Sequence, residues 1–176
     1  MNYLVRVGDF NQAQLRAEEY LEICSWMPDK LSQCYRILGD LAFGMKQFDQ
    51  VDDWYNSAIK QARLTSIREV LIEALLARGR WAAKFHGGGL PVANPGQSIE
   101  LPLQQAFSDL REALGYATDG GYRLYEADIR IALAWAHLAS GNPTDAKQEA
   151  TRAQTMSTDM GYHWGQVDAA ELLDHL

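Results

Sequence analysis

The sequence has little cysteine, little proline outside one segment and no long apolar run, and these absences exclude several classes of protein. Two cysteines among 176 residues cannot build the disulfide framework of a small secreted domain. No stretch of about 18 apolar residues indicates a membrane-spanning helix, and the opening residues MNYLVRVGDF lack the apolar centre of a signal peptide. We therefore expect a cytoplasmic protein without a membrane partner.

Positive charge is also scarce. The chain has 16 Lys and Arg against 23 Asp and Glu, a net charge of −7, and a negative protein repels the phosphate backbone of nucleic acids. We expect no nucleic-acid partner. Hydrophobic residues make up 47% of the chain, which is ordinary for a folded protein of this length, so residues 1–176 are predicted to form a single domain.

Patterns typical of catalysis and metal binding are missing as well. The histidines are scattered, and none belongs to a His-Glu-x-x-His pattern. No Gly-x-Ser-x-Gly segment indicates a nucleophilic serine. We predict no enzyme activity, no metal and no cofactor. Because Cys24 and Cys34 have apolar or aromatic neighbours, we expect small buried thiols rather than a disulfide or a redox pair.

The chain is rich in helix-forming residues, and its glycines and prolines are distributed unevenly. Gly and Pro concentrate in the segment GGGLPVANPGQSIELP, so residues 87–100 are interpreted as a loop and the rest as helices. Asn142 before Pro143 is typical of a helix start, and Ser66 with Glu69 forms a capping-box pattern. The predicted helices span residues 9–26, 29–45, 48–64, 66–86, 101–118, 121–140, 143–160 and 162–175.

A pattern of small or apolar residues recurs four times at helical spacing. In each copy the second residue follows the first by four positions and the third follows by three, which places all of them on one helix face. The copies begin 38, 55 and 40 residues apart, and the middle interval is longer because it contains the loop. The copies are Ala13, Ala17 and Tyr20; Val51, Tyr55 and Ala58; Ala106, Leu110 and Ala113; and Ala146, Ala150 and Ala153.

Two segments before these copies carry a resemblance to a known family. Residues 35–42 read YRILGDLA, with the aromatic, Leu-Gly and small positions of the first helix of a tetratricopeptide repeat. Residues 130–137 read RIALAWAH, where Arg130 replaces the aromatic. The chain therefore resembles a tetratricopeptide repeat protein. That resemblance implies an all-α, right-handed superhelix of antiparallel helix pairs, about four pairs plus a C-terminal capping helix, with the first pair truncated because only seven residues precede Gly8.

The period of 38 to 40 residues exceeds the usual value of about 34. It resembles the long repeats that follow the nucleotide-binding domain in bacterial STAND signalling ATPases, and the likeness is greatest over residues 120–176. No Gly-x-x-x-x-Gly-Lys-Ser/Thr phosphate loop is present, so the resemblance implies a sensor or partner-docking arm without ATPase activity. The five tryptophans occur about once per repeat and are expected to pack between helix pairs.

In a tetratricopeptide superhelix the first helix of each pair lines the concave surface, and its outward residues contact extended peptides. Carried over by position in the repeat, the candidate binding residues are Gln33, Arg36, Asp40 and Phe43 in the second pair and Asp128, Ile131, Trp135 and Leu138 in the fourth. Asp40 and Trp135 stand where chaperone-tail binders have Asn, so a terminal carboxylate is not the expected ligand.

Two functions fit these features. The first is a protein- or peptide-binding scaffold, because the chain has repeats and no catalytic motif. The alternative is a small ligand-binding or enzymatic helical domain whose site lies under the 87–100 loop. A homodimer through the N-terminal helix face is also expected, because the truncated first pair leaves apolar residues uncovered. Those residues are Leu15, Tyr20, Leu21, Ile23 and Trp26.

Overall fold

The computed structural model describes residues 10–87 and 100–176, and every regular element within these ranges is an α-helix. The helices are α1 (Phe10–Cys24), α2 (Pro28–Gly44), α3 (Phe48–Ala62), α4 (Arg68–Gly87), α5 (Glu100–Gly120), α6 (Arg123–Ala139), α7 (Pro143–Asp159) and α8 (His163–Asp174). Their bounds lie within a few residues of the predicted ones. The all-α fold class, with neighbouring helices packed in pairs, is therefore confirmed.

Two compact units make up the chain, Met1–Arg78 and Gly79–Leu176. The prediction of a single domain stays a prediction. The loop at 87–100, apart from its two end residues, lies outside the described residues, and so does the alternative ligand site placed beneath it. The partner helix of α1 that is predicted before Gly8 lies outside the described residues as well. In the part of the chain that is described, no helix is both long enough and apolar enough to cross a bilayer.

In the first unit, α1 packs against α2, and α2 packs against α3. A Cβ atom at Gly39 of α2 would lie 2.5 Å from Cε1 of Tyr55 in α3. The missing side chain at Gly39 therefore lets the ring of Tyr55 fill the space between the two helices. The buried members of the repeat pattern in this unit are Ala17, Val51, Tyr55 and Ala58.

In the second unit, α6 contacts α5, α7 and α8, and α7 also packs against α8. Alanine dominates the buried repeat positions here, and small side chains let helix axes approach closely. Gly79 has the same effect, since a Cβ atom there would lie 2.6 Å from Cγ of Leu110. The repeat residues buried in this unit are Ala106, Leu110, Ala113, Ala146, Ala150 and Ala153.

Four helix ends share one turn geometry, in which a residue with positive φ follows the helix. These residues are Lys46 (60°), Gly121 (70°), Gly141 (76°) and Gly161 (65°). In each turn the next N–H donates to the carbonyl five residues earlier, at 2.8 or 2.9 Å, which is the Schellman arrangement. The three glycines are 20 residues apart. This spacing is half of the 40-residue repeat, so one helix and its turn form the half-repeat.

The start of α4 differs from the prediction. The helix begins at Arg68, two residues after Ser66. The N–H of Ile67 donates to the hydroxyl oxygen of Thr65 at 3.3 Å, and that hydroxyl donates to a carbonyl at the end of α3. The capping-box prediction is therefore wrong, because the threonine one residue earlier forms the local hydrogen bonds of the turn.

The tryptophans do not share one role. Trp81 is buried, and Trp54 stacks on Tyr35 with ring centroids 5.8 Å apart. Trp26 and Trp164, however, are 77% and 51% exposed. The expectation that all five pack between helices is wrong for these two, because Trp26 lies in a turn and Trp164 in a first helical turn, away from the buried stripes.

Candidate functional site

The candidate residues Arg36 and Asp40 of α2 form an ion pair that is held by neighbouring helices. Nη1 of Arg36 lies 3.0 Å from Oδ2 of Asp40, and Nε lies 3.6 Å from Oε2 of Glu73. The hydroxyl of Tyr55 donates to Oδ1 of Asp40 at 2.8 Å. Arg36 and Asp40 are thus both engaged inside the first unit, where one guanidinium faces two carboxylates.

Gln33 and Phe43 lie on the same face of α2, towards its two ends. Both side chains are partly exposed. The ring of Phe43 lies 6.2 Å from that of Phe48, across the turn between α2 and α3. Phe43 therefore has a packing role at this turn, whether or not a ligand also contacts it.

In the second unit the candidate residues of α6 line a cleft together with residues of α4 and α8. We call this the Trp135 cleft, and its lining residues are Arg80, Lys84, Asp128, Ile131, Trp135, Asp168 and Glu171. It contains the predicted residues Asp128, Ile131 and Trp135 but not Leu138. Its volume of about 30 Å³ is far below the roughly 300–1,000 Å³ of pockets that enclose small molecules. The cleft therefore does not enclose a small molecule.

Trp135 is held firmly at the floor of this cleft. It packs against two buried clusters, one of Ile131, Ala153 and Ala169 and the other of Ala134, Ala150 and Leu172. Nζ of Lys84 lies 5.6 Å from the centroid of the Trp135 ring, and the ring of His175 meets it edge-on at 5.5 Å. A half-buried indole fixed in this way offers a rigid apolar surface to a partner.

The charges of the Trp135 cleft are separated by helix. The cations Arg80 and Lys84 come from α4, and the carboxylates of Asp168 and Glu171 come from α8. Within residues 10–87 and 100–176, none of these four side chains has a salt-bridge partner within 4.0 Å. Asp128 differs, because it accepts a hydrogen bond of 3.3 Å from a tyrosine hydroxyl. Four charges of the cleft thus have no salt-bridge partner among the described residues.

Sequence reasoning missed these four charged residues, because it considered only the first helices of the second and fourth pairs. A signal was present in the sequence. Arg80 and Lys84 are four residues apart, and Asp168 and Glu171 are three apart, so each pair lies on one helix face. The two basic residues lie on one face of α4 and the two acidic residues on one face of α8. This pattern predicts that the helices on either side of α6 carry opposite charges.

A larger and shallower depression, of about 580 Å³, lies along α7. Six of its seven lining residues belong to α7, and only Leu176 comes from elsewhere. None of the predicted binding residues lines it. It is the open surface of one helix rather than a cleft between helices, so we do not place the functional site there.

The two thiols are free and buried, as predicted for small core residues. Burial, and to a smaller extent the neighbouring Cys24, raises the pKa of Cys34 to about 11. This thiol is therefore protonated at neutral pH and is a poor nucleophile. Among the described residues, no group of three or more His, Cys, Asp or Glu side chains is arranged to hold a metal ion.

Comparison with known proteins adds no family to this description. No protein-family model matches the chain, and no curated protein matches it either. The tetratricopeptide resemblance therefore depends on the repeat pattern of the sequence, and the candidate site depends on its geometry.

Proposed function

We propose that the chain is a protein- or peptide-binding helical repeat scaffold of the tetratricopeptide type, and that the Trp135 cleft is its docking surface. The observation that carries this proposal is the meeting of α4, α6 and α8 at one cleft, with a fixed indole at its floor and, at its walls, four charges that have no salt-bridge partner in the described part of the chain. A peptide along α6 would bury apolar surface on Trp135 and pair its charges on either side.

In this proposal the scaffold acts in the cytoplasm as a sensor or partner-docking arm of a larger bacterial signalling protein of the STAND type, and it is not an enzyme. Two features support this context. The half-repeat of 20 residues gives helices longer than those of the ordinary repeat, and the two cysteines are free thiols, as is typical of a reducing compartment.

An array of unrelated 12-residue peptides tests the docking surface. Trp135→Leu removes the indole, and Trp164→Leu is the matched control, because Trp164 is exposed and lies outside the cleft. We expect the native protein and Trp164→Leu to bind the same subset of peptides, and Trp135→Leu to lose that subset while its circular dichroism stays helical. Unchanged binding by Trp135→Leu, or no binding by the native protein, would refute the proposal.

We also propose that the outer face of α1 pairs with a second copy of the chain. Leu15, Ile23 and Trp26 are exposed on one side of this helix and of the turn that follows it, whereas Tyr20 and Leu21 are half-buried. Light scattering at high micromolar concentration should give the mass of a dimer for the native chain and of a monomer for Ile23→Ser. A native chain that stays strictly monomeric contradicts this pairing.

A further inference from the structure

We propose that the Trp135 cleft binds an extended peptide segment in which acidic and basic side chains alternate, with the acidic ones facing α4 and the basic ones facing α8. This inference rests on the proposed function and names the class of partner that the docking surface takes. It follows from the separation of charge between the two walls and from the spacing of the charges along each wall.

The charges along each wall match the geometry of an extended chain. Arg80 and Lys84 lie one helical turn apart, as do Asp168 and Glu171, so the charges of each pair are about 5 to 6 Å apart along their helix. In an extended peptide, residues i and i+2 point to the same side and lie about 6.6 Å apart. Acidic residues at i and i+2 would therefore meet the α4 wall, and basic residues at i+1 and i+3 would meet the α8 wall.

A peptide of a single charge fits this cleft less well. A purely acidic segment would pair with Arg80 and Lys84 but would be repelled by Asp168 and Glu171, and a purely basic segment would have the opposite fault. With Asp128, the cleft contains two cations and three carboxylates, so its charges sum to −1. Because the cations lie on α4 and the carboxylates of Asp168 and Glu171 lie on α8, a segment that carries both signs, each facing the opposite charge, is the complementary partner.

The floor of the cleft fits the aliphatic stems of such a segment. Glutamate, lysine and arginine carry methylene groups that pack on apolar surface while the charged ends reach outwards. Trp135, which is half-buried, supplies that surface between the walls, and the buried Ile131 packs against it from the core. Lys84, which is exposed and lies over the indole, has a flexible stem that lets its ammonium group turn towards a bound carboxylate.

Fluorescence anisotropy with labelled eight-residue peptides provides the test. One peptide alternates Glu and Lys, and the other has four Glu followed by four Lys, so composition and net charge are identical. We expect the alternating peptide to bind about tenfold more tightly at low salt and to lose this advantage at high salt. Equal affinities would overturn the inference.

Charge reversal of the walls sharpens the test. Arg80→Glu with Lys84→Glu should weaken binding of the alternating peptide about tenfold, and Asp168→Lys with Glu171→Lys should do the same. The fourfold variant should recover native affinity, because sliding the peptide by one residue exchanges the charges that face each wall. A fourfold variant that is helical by circular dichroism and does not recover binding would overturn the inference.

A matched control separates local from general electrostatics. Lys147→Glu with Arg152→Glu makes the same change of charge on the exposed face of α7, outside the cleft, and should leave the affinity unchanged. If array peptides bind through Trp135 but alternation gives no advantage, this inference fails while the proposed function stands. If no peptide binding depends on Trp135, the proposed function itself fails.

Discussion

The helix pairs α2–α3 and α6–α7 share one repeat pattern but pack their helices with different side chains. Residues 95 positions apart correspond. In α2–α3, Tyr35 stacks on Trp54, with ring centroids 5.8 Å apart. The corresponding residues of α6–α7, Arg130 and Glu149, form a salt bridge of 2.8 Å. An aromatic contact and an ion pair thus join the same two points of the repeat.

The two helix pairs also differ in the volumes of the side chains at one buried contact, which in α2–α3 is formed by Gly39 and Tyr55. The pair α2–α3 combines a residue without a side chain and a large ring, whereas α6–α7 has Ala134 and Ala150 at the corresponding positions. All four residues are buried. The repeat therefore specifies the space between the helices, and each pair fills that space with its own combination of residues.

The faces predicted to bind a ligand also differ between the pairs. On α2, Arg36 and Asp40 pair with each other. On α6, the corresponding residues are Ile131, which is buried, and Trp135, whose half-buried indole forms the apolar floor of the cleft. A charged position that is satisfied internally stabilises the repeat, whereas an apolar position between charged walls is available to a partner. This difference is why the candidate site lies in the second unit.

The largest loss of stability is expected at the contact between Gly39 and Tyr55. Tyr55→Ala should lower the free energy of unfolding by about 4 kcal/mol, because it empties a buried site. Gly39→Ala should lower it by about 2 kcal/mol, because the new Cβ would lie 2.5 Å from the ring. The double variant copies Ala134 and Ala150 and should lose at least about 1 kcal/mol less than the sum. Urea unfolding measures all three, and strictly additive losses would contradict this account.

Removal of Arg130 should have the next largest effect. Its guanidinium is buried and donates to Glu126 at 2.7 Å and to Glu149 at 2.8 Å. Burial lowers the pKa of Arg130, but these hydrogen bonds outweigh burial and hold the pKa above its ordinary value. Arg130→Met should cost about 3 kcal/mol, because it leaves two carboxylates without their partner.

The control for Arg130 is Arg152→Met on the exposed face of α7, which should change the free energy of unfolding by less than about 0.5 kcal/mol. The comparison of the two pairs also predicts that a second substitution restores part of the stability lost with Arg130. Arg130→Tyr with Glu149→Trp grafts the stacked pair of the first unit, and it should be more stable than Arg130→Tyr alone. If the two variants are equally stable, the aromatic and ionic contacts are not interchangeable.

The pH dependence of stability should also distinguish the pairs, because Cys34 corresponds to Ile129, which cannot ionise. The pKa of Cys34 is raised from 9.0 to about 11, mainly by burial. The folded state therefore holds this proton more tightly than the unfolded chain. The stabilisation is full below about pH 9, and up to about 2 to 3 kcal/mol of it is lost as the pH rises towards 11.

Urea unfolding between pH 8 and pH 11 measures this loss in the native chain and in Cys34→Ala. The variant should show a shallower decline, although not a flat one, because the pKa of Tyr20 is also raised, chiefly by its hydrogen bond to Cys24. Identical declines in the two proteins would mean that Cys34 is not the group responsible.

The sequence predicts the helices and their pairing well, because these depend on local periodicity and on turn residues. Asn142, for example, accepts a hydrogen bond from the N–H of Asp145 at 3.2 Å, and Pro143 begins α7, as predicted. The salt bridge between Arg130 and Glu149 could not be predicted from the pattern of a single helix, because the two residues lie on different helices. Arg130 alone indicated only a departure from the expected aromatic.

The candidate site was predicted in part for the same reason. Asp128 and Trp135 lie on one face of α6, and helical spacing is enough to place them together. The walls of the cleft come from α4 and α8, so they depend on the packing of helices far apart in the sequence. The pairing of Arg36 with Glu73 also joins separate helices, and it engages inside the first unit a cation that the sequence pattern assigned to ligand binding.

The smallest effect is expected at the turns, where the two pairs differ by a single residue. Lys46 has a φ of 60°, and the corresponding Gly141 has a φ of 76°. A side chain costs about 1 kcal/mol in this left-handed region, whereas glycine adopts it freely. Lys46→Gly should therefore raise the free energy of unfolding by up to about 1 kcal/mol, and Gly141→Lys should lower it by a similar amount. Met45→Gly is the control, because its φ of −83° needs no glycine and the substitution should only destabilise. Thermal and urea unfolding of the three variants measure the differences, and a loss of stability in Lys46→Gly would show that the two turns do not share one conformational requirement.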